Sequence, residues 1–412
     1  MQSAYKKYHS TETALIRIQN DMLRAIDDKN LGCGFLVLLD LSAAFDTVDH
    51  QILLQRMSTR FGVKSSALAW IKSYLHERKQ FVTISGVNSE NKVLDCDVPQ
   101  GSVLGPDFFG DYNSPLAQIF RRHGIHFQLY ADDTQAYIFF RAKVNEDEAR
   151  KKLEACLAEV RLWMAQNFLK LNDRKTDFMI FCKPSSVKNI TTTSIRIGNY
   201  DIKPNKTVMN IGATLDENMK LHKQITKVSK SAWHSLFNIS KTRKYMCANQ
   251  CKTVIHAYVT SKIDNNNSLY IGLAKTTLLE KLSKIQHAAA RLITHSTKRD
   301  DASPVLKQLH WLPVTERIEF KILLITYKVL NGMGPAYLKE LLIPKVNTRD
   351  LRSSDRNELT ESRSYSGWGD RSFSIAAPRL WNKLPLLIGK SESVDVYKSK
   401  LKTYLFKRAF CD

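Results

Sequence analysis

No apolar run in this 412-residue chain approaches the roughly 18 residues of a membrane-spanning helix, and residues 1–10 are polar, so neither a span nor a secretory leader is expected. Seven cysteines, an odd number scattered along a long chain, do not form a disulfide framework and read as reduced thiols in an intracellular compartment, nucleus and cytoplasm alike. A glycine-rich phosphate loop of the Walker type is missing, as is a Ser-His-Asp arrangement, an internal repeat or a long low-complexity tract. Acidic residues are scarce: 40 Asp and Glu stand against 62 Lys and Arg, a net charge of +22. That balance points to an acidic polymer as partner, nucleic acid before a membrane surface. The length suits about two or three domains, each able to bury a core.

Against this background two adjacent acids stand out, Asp132 and Asp133, because they interrupt the apolar stretches Phe127 to Tyr130 and Tyr137 to Phe140. The flanks read as two short strands, which puts the acids at a hairpin tip. Upstream, the run Phe35 to Leu39 reads as a buried strand that stops at Asp40, a third carboxylate at a strand end. Three such acids suit a pair of Mg2+ ions about 3.5–4 Å apart, one at an attacking 3′-hydroxyl and one at a leaving pyrophosphate, with Mn2+ as a substitute.

Three stretches carry a family resemblance: Asp40-Leu41-Ser42-Ala43-Ala44-Phe45-Asp46-Thr47-Val48-Asp49-His50, then Val98-Pro99-Gln100-Gly101-Ser102-Val103-Leu104-Gly105-Pro106, then Tyr130-Ala131-Asp132-Asp133-Thr134. In order and spacing they resemble the reverse transcriptases of non-LTR (LINE-type, jockey- and chicken-repeat-like) retrotransposons. The resemblance implies an RNA-directed DNA polymerase with an RNA template, a DNA primer and deoxynucleoside triphosphates as partners. It implies catalytic and metal-holding roles for Asp40, Asp132 and Asp133, and a proton-donating role toward pyrophosphate for Lys175. It also implies that Phe45 lies under the sugar of the incoming nucleotide, where it would exclude a 2′-hydroxyl, and that Gln100 and Gly101 contact nucleotide and template.

Family members usually carry an endonuclease and much of the fingers before the segment that opens here, so an N-terminally truncated enzyme is expected. The alternative is an inactive nucleic-acid-binding remnant. Asp97 stands where a glycine commonly precedes Val-Pro-Gln-Gly, and Asp107-Phe108 replace a usual pair of leucines.

The expected fold is α+β: a right-hand polymerase palm, an antiparallel sheet with helices, with incomplete fingers over 1–215. A basic helical thumb over 216–300 and a mostly helical C-terminal region over 301–412 follow. Within the first region, Leu15, Ile18, Met22 and Ile26 predict a helix capped by Ser10 or Thr11 and packed on the Asp40 strand. Phe81 to Val87 and Lys92 to Val98 predict a hairpin turning at Asn88 to Asn91. Pro115 should interrupt a helix from Asp107 to His123, and a long helix through Trp163 should finish near Asn172. Val208 to Asp216 reads as a strand pair like the one that grips the primer end.

Residues 217–300 hold 15 Lys and Arg against 4 Asp and Glu, half of the net charge. Lys220, Lys223, Lys227 and Lys230 recur at helical spacing opposite Leu221, Ile225, Val228, Ala232 and Ile239, a stripe suited to duplex phosphates. Cys247, Cys251 and His256 lack an evident fourth ligand and read as ordinary core and surface residues rather than a zinc set.

Overall fold

A strand that is apolar on both faces must be covered on both, and Cys33–Leu39 is such a strand, with six of its seven residues buried. It pairs antiparallel with Asp133–Phe140, which pairs in turn with His126–Tyr130, and Asp177–Cys182 lies along its other edge. Phe35 packs its ring on Phe140 and Phe178 at centroid separations of 4.2 and 5.6 Å. The helix Glu146–Gln166 covers the strand Asp133–Phe140 through the buried series Ala149, Leu153, Cys156, Leu157, Val160 and Met164, which recurs every three or four residues around the adjacent pair Cys156 and Leu157 as one helical face requires.

The architecture is α+β, in a computed structural model that describes residues 2–411 except Ala43, Gln100, 274–276, Lys298, Arg299 and 346–357. Contacts divide the chain into two units: Met1–Lys7, Cys33–Ile180 and Ser185–Lys206 form the first, and Tyr8–Gly32, Phe181–Pro184 and Thr207–Asp412 the second. Among the described residues, no helix is long and apolar enough to cross a membrane.

Within the first unit the expected break at Pro115 is present, separating the helices Gly105–Asn113 and Leu116–Arg122. The long helix stops at Gln166, short of Asn172, because the chain turns through Phe168 at φ +54° and then pairs Lys170–Leu171 with Leu41–Ser42. The hairpin over 79–93 turns at Ser85-Gly86, not at Asn88 to Asn91. Both turn residues have positive φ, +51° and +82°, the combination that two-residue hairpin loops need and that Gly86 meets without strain. Thr83 pairs with Asn88 while Gln80 pairs with Lys92, a shift of one register step that marks a bulge.

Among its described residues the second unit is helical apart from the hairpin Thr207–Asn210 and Ala213–Asp216, the strand end Phe181–Cys182 and an isolated bridge of Pro344 to Leu359. Its N-terminal helix Thr11–Asp27 begins as expected, with Ser10 Oγ accepting from Thr13 N at 3.1 Å. Its main partners, however, are Gly367–Asp370, Phe373–Trp381 and Asn267–Tyr270, not the strand that ends at Asp40. Asp27 explains the preference: its buried carboxylate accepts from Tyr365 N at 3.0 Å and from Ser366 Oγ at 2.6 Å. Gly369 is required beside it, since a Cβ there would fall 2.3 Å from Asp27 Oδ2. Tyr327 and Tyr397 stack at 4.0 Å, fully buried, and join the helices Val314–Leu330 and Val394–Phe410.

Glu146 is the polar keystone of the first unit, because its Oε1 accepts from Thr191 N at 2.9 Å and from Thr192 N and Oγ1 at 2.7 Å each. Burial pushes the carboxyl up, but these hydrogen bonds outweigh it and hold it below the usual carboxylate value. A depressed folded-state value means the stabilisation is complete above the ordinary range and is lost as pH falls through the folded value. Glu146→Ala should therefore cost about 2–3 kcal/mol in urea unfolding at neutral pH, and the gap to wild type should narrow below about pH 4. A gap that stays constant across that range would show that the charge contributes nothing.

Candidate active site

The strand register decides which carboxylates meet. Leu39 lies opposite Thr134, so Asp40, one residue beyond, and Asp133, one residue before, occupy the same end of neighbouring strands. Asp133 also closes the hairpin opposite Tyr130, which leaves Ala131 and Asp132 as a two-residue turn. Ala131 sits at φ +54°, a conformation that costs an L-residue roughly 1–2 kcal/mol.

A side chain that sequence reasoning overlooked holds that turn. Gln2 Nε2 donates to Ala131 O at 3.0 Å and Ala131 N donates to Gln2 Oε1 at 2.9 Å, so one amide satisfies both backbone groups of the strained residue. The N-terminal segment is anchored for this task by a parallel bridge of Gln2 to Leu129 and by Ser3 N donating to Leu129 O at 2.8 Å. Gln2 and Ala131 are 129 positions apart, and no local pattern announces such a clamp.

The electrostatics are those of crowded acids. Burial, then Asp132, then Asp40 push the Asp133 carboxyl up to about 6. Asp40 Oδ2 is buried and has no hydrogen-bond partner; its nearest cation is Lys175, whose Nζ lies 3.7 Å away. Lys175 reaches it because Leu41 and Ser42 pair with Leu171 and Lys170, while Asn172 N donates to Asp40 O at 2.9 Å. The lysine itself, in the turn Asp173–Lys175, is 71% exposed. Among the described residues no three His, Cys, Asp or Glu side chains converge tightly enough to ligate an ion. The expected triad is thus brought to one end of the sheet without closing into a ligand set. Its donor chemistry still fits a divalent cation, since a buried carboxylate oxygen without a hydrogen bond and a carboxyl raised by burial and then by like charge would both be relieved by positive charge.

Phe45 is half-buried and stacks on Phe109 at 4.6 Å, while its carbonyl accepts from Val98 N at 3.1 Å. That bond ties the aromatic to the loop containing Gly101, which is exposed at φ +85°. Gln100 lies outside the described residues. Ser102 is engaged structurally, donating to Pro99 O at 2.7 Å and accepting from Gly105 N at 3.0 Å. Asp97 sits at φ +109°, which explains why a glycine suits this position.

In the second unit, Lys223, Lys227 and Lys230 occupy the exposed face of the helix His222–Thr242, opposite Ile225, Ala232 and Ile239. Lys220 does not join that helix, contrary to the spacing argument. Leu221 takes a left-handed conformation, and the Asp216 carboxylate accepts from Lys220 N at 2.7 Å and from His222 N at 3.1 Å, so the helix starts two residues late. Lys223 Nζ donates to Thr207 Oγ1 at 2.9 Å, leaning over the hairpin that ends at Asp216.

A family model described as reverse transcriptase (RNA-dependent DNA polymerase) matches residues 1–215. The probable RNA-directed DNA polymerase from transposon BS of Drosophila melanogaster is 24% identical over 300 residues, 71% of this chain and 32% of that protein. The polymerase from mobile element jockey of the same organism is 25% identical over 236 residues, covering 56% and 24%. The probable polymerase from its transposon X-element is 26% identical over 306 residues, covering 71% and 32%. The chain thus spans about a third or less of the length of these relatives. Among solved structures, telomerase from Candida albicans in complex with the TWJ fragment of telomeric RNA aligns at a TM-score of 0.36 and 11% identity, covering 76% of this chain and 52% of that one. With more than half of its length matched by the family model, the chain belongs to the reverse transcriptase (RNA-dependent DNA polymerase) family, related to the jockey, BS and X-element enzymes of non-LTR retrotransposons.

Proposed function

We propose that this chain extends a DNA primer 3′ end with deoxynucleotides on an RNA template, with Asp40, Asp132 and Asp133 holding two Mg2+ ions. The observation that carries the reading is the placement of Asp40 and Asp133 at one end of paired strands, with Asp132 in the adjoining turn. The ions would supply Lewis acidity at the attacking hydroxyl and at the leaving pyrophosphate. Lys175, exposed and beside Asp40, donates a proton to the departing pyrophosphate and offsets its charge. Phe45, braced by Phe109, presents its ring to the sugar and disfavours a 2′-hydroxyl. Gly101, with no Cβ and nothing within 4 Å of where one would stand, lets the neighbouring nucleotide approach the backbone, with Gln100 beside it. In domain terms the sheet and its helices act as palm with partial fingers over 1–215, 216–300 acts as thumb, and 301–412 follows it.

Primer extension on an RNA template tests the acids. Asp132→Asn should lower the rate by at least about a thousandfold while binding of the primed template persists. Equal extension by both proteins would refute the assignment, and binding without extension by either would favour a remnant that keeps only nucleic-acid affinity.

Gln2 acts as a positioning residue, since it satisfies the backbone of the turn that bears Asp132. Gln2→Ala should slow extension by roughly tenfold at saturating substrate, with primed-template affinity within about twofold of wild type. An unchanged rate would reduce Gln2 to an end cap for its strand.

The lysines track the phosphates of the template-primer duplex. Replacing Lys223, Lys227 and Lys230 by Gln should flatten the dependence of log affinity on log salt by about two to three units, weakening all sequences alike. Lys220, outside the helix, should add less. A wild-type slope in the triple variant would leave these lysines a solvated face and nothing more.

A further inference from the structure

The second unit contains a cavity of about 590 Å³ that the polymerase reading does not use, a volume within the range of small-ligand sites. Its walls come from the segments around Lys252 and His256, from Asp264 and Asn267, from 309–312, and from the helices Val314–Leu330 and Val394–Phe410. His256 opens a π-helical segment, His256–Thr260, an irregularity that concentrates at functional sites.

The charge of the lining is one-sided. Lys252, Arg317, Lys321 and Lys402 face a single acid, Asp264. That acid is occupied: Arg317 Nε donates to Asp264 Oδ1 at 2.8 Å. Lys321 pairs with Glu12 at 3.3 Å. Among the described residues Lys252 and Lys402 have no acidic partner within 4.0 Å, and with Lys252 half-buried and Lys402 exposed both ammonium groups are open to a ligand. Burial and then the Arg317 and Lys252 charges hold His256 below the ordinary imidazole value, so the ring does not add a proton to this crowd.

Two lining residues also carry buried polar atoms that lack partners. Trp311, 5% exposed, leaves its Nε1 donor unpaired, and Asn267, 3% exposed, leaves its Oδ1 acceptor unpaired. The amide orientation follows from its other end, since Asn267 Nδ2 faces Asp264 Oδ1 at 3.4 Å. A buried polar atom without a partner costs about 1–3 kcal/mol, so two in one cavity ask for a ligand that offers an acceptor and a donor. Aromatic surface is present as well, with Trp311 and His256 at 5.1 Å and Phe320 alongside. Ammonium groups without an acid beside them attract an anion, and a donor and an acceptor beside aromatic rings match a flat polar heterocycle.

We propose that this cavity binds a single nucleotide unit, its phosphate toward Lys252 and Lys402 and its base edge toward Asn267 and Trp311. That unit comes either from a free nucleotide or from an unpaired position of a nucleic-acid strand, which present the same chemistry.

The full chain is tested in EDTA, so that no divalent ion assists nucleotide binding at Asp40, Asp132 and Asp133. The probes are a single-stranded hexauridylate carrying 4-thiouridine, UMP and inorganic phosphate. Irradiation should crosslink the hexamer to a peptide containing Trp311 or His256. Lys252→Ala with Lys402→Ala should weaken hexamer binding by at least about tenfold, because each ammonium makes a charge-assisted contact. Trp311→Phe, which keeps a ring and removes only the donor, should weaken it by about threefold or more. Competition by UMP identifies a free nucleotide as a sufficient ligand, while binding of the hexamer without competition by UMP identifies a strand. The proposal is overturned by crosslinks confined to other segments, by wild-type affinity in the double-lysine variant, or by phosphate competing as well as UMP. An absence of binding by every probe overturns it too. Because Asp132→Asn leaves this cavity intact, its retention of hexamer binding separates a failure of the polymerase reading from a failure here.

Discussion

The antiparallel ladder between Cys33–Leu39 and Asp133–Phe140 is the constraint on which the candidate active site depends. Two apolar strands gain by burying each other, and the register that aligns their apolar residues also brings Asp40 and Asp133 to one end. Hydrophobic burial thereby creates an electrostatic problem. Asp133 bears it, with its carboxyl pushed up to about 6 by burial and by two neighbouring acids. A slip of one residue would separate the acids and exchange the side chains that pack on the two covered faces, so packing and chemistry are specified by the same register.

Around that ladder the backbone is held in conformations that L-residues avoid. Ala131 at the acidic turn and Asp97 before the Gly101 loop both lie at positive φ, and each is tied down by bonds from a distant segment. Gln2 holds the first, while Val48 O accepts from Asp97 N at 3.0 Å to hold the second. Strain of this kind persists only where surrounding structure over-determines it, and functional sites are where it gathers. The short pairing of Leu41–Ser42 with Lys170–Leu171 plays a similar part for Lys175, fixing a turn that would otherwise be free to drift from Asp40.

The second unit arranges charge differently. Its lysines stand on a helix whose opposite face is fully committed to packing, so they project without disturbing the core. Around the cavity the half-buried ions are paired, Arg317 with Asp264 and Lys321 with Glu12, and the cations left over there are Lys252 and Lys402. Among the described residues, positive charge in this unit thus gathers on the exposed face of the helix His222–Thr242 and at the cavity.

Much of this was legible in the residues because it is local. An apolar run ending in an acid, two acids between apolar strands, a proline between helical stretches and an acid-poor lysine series all act over a few positions, and Asp40, the acidic hairpin, the break at Pro115 and the exposed Lys223, Lys227 and Lys230 lie where those patterns put them. What the tertiary structure alone decided involves partners far apart in the chain. Helix Thr11–Asp27 shows its apolar face in the sequence but not what covers it, and the Asp27 contacts to residues 365 and 366 settled that. Lys220 has helical spacing, yet the side chain of Asp216 captures its amide and delays the helix. Neither the Gln2 clamp nor the unpaired Trp311 and Asn267 could be read from spacing, because whether a polar atom finds a partner depends on which distant groups the fold brings within hydrogen-bond reach.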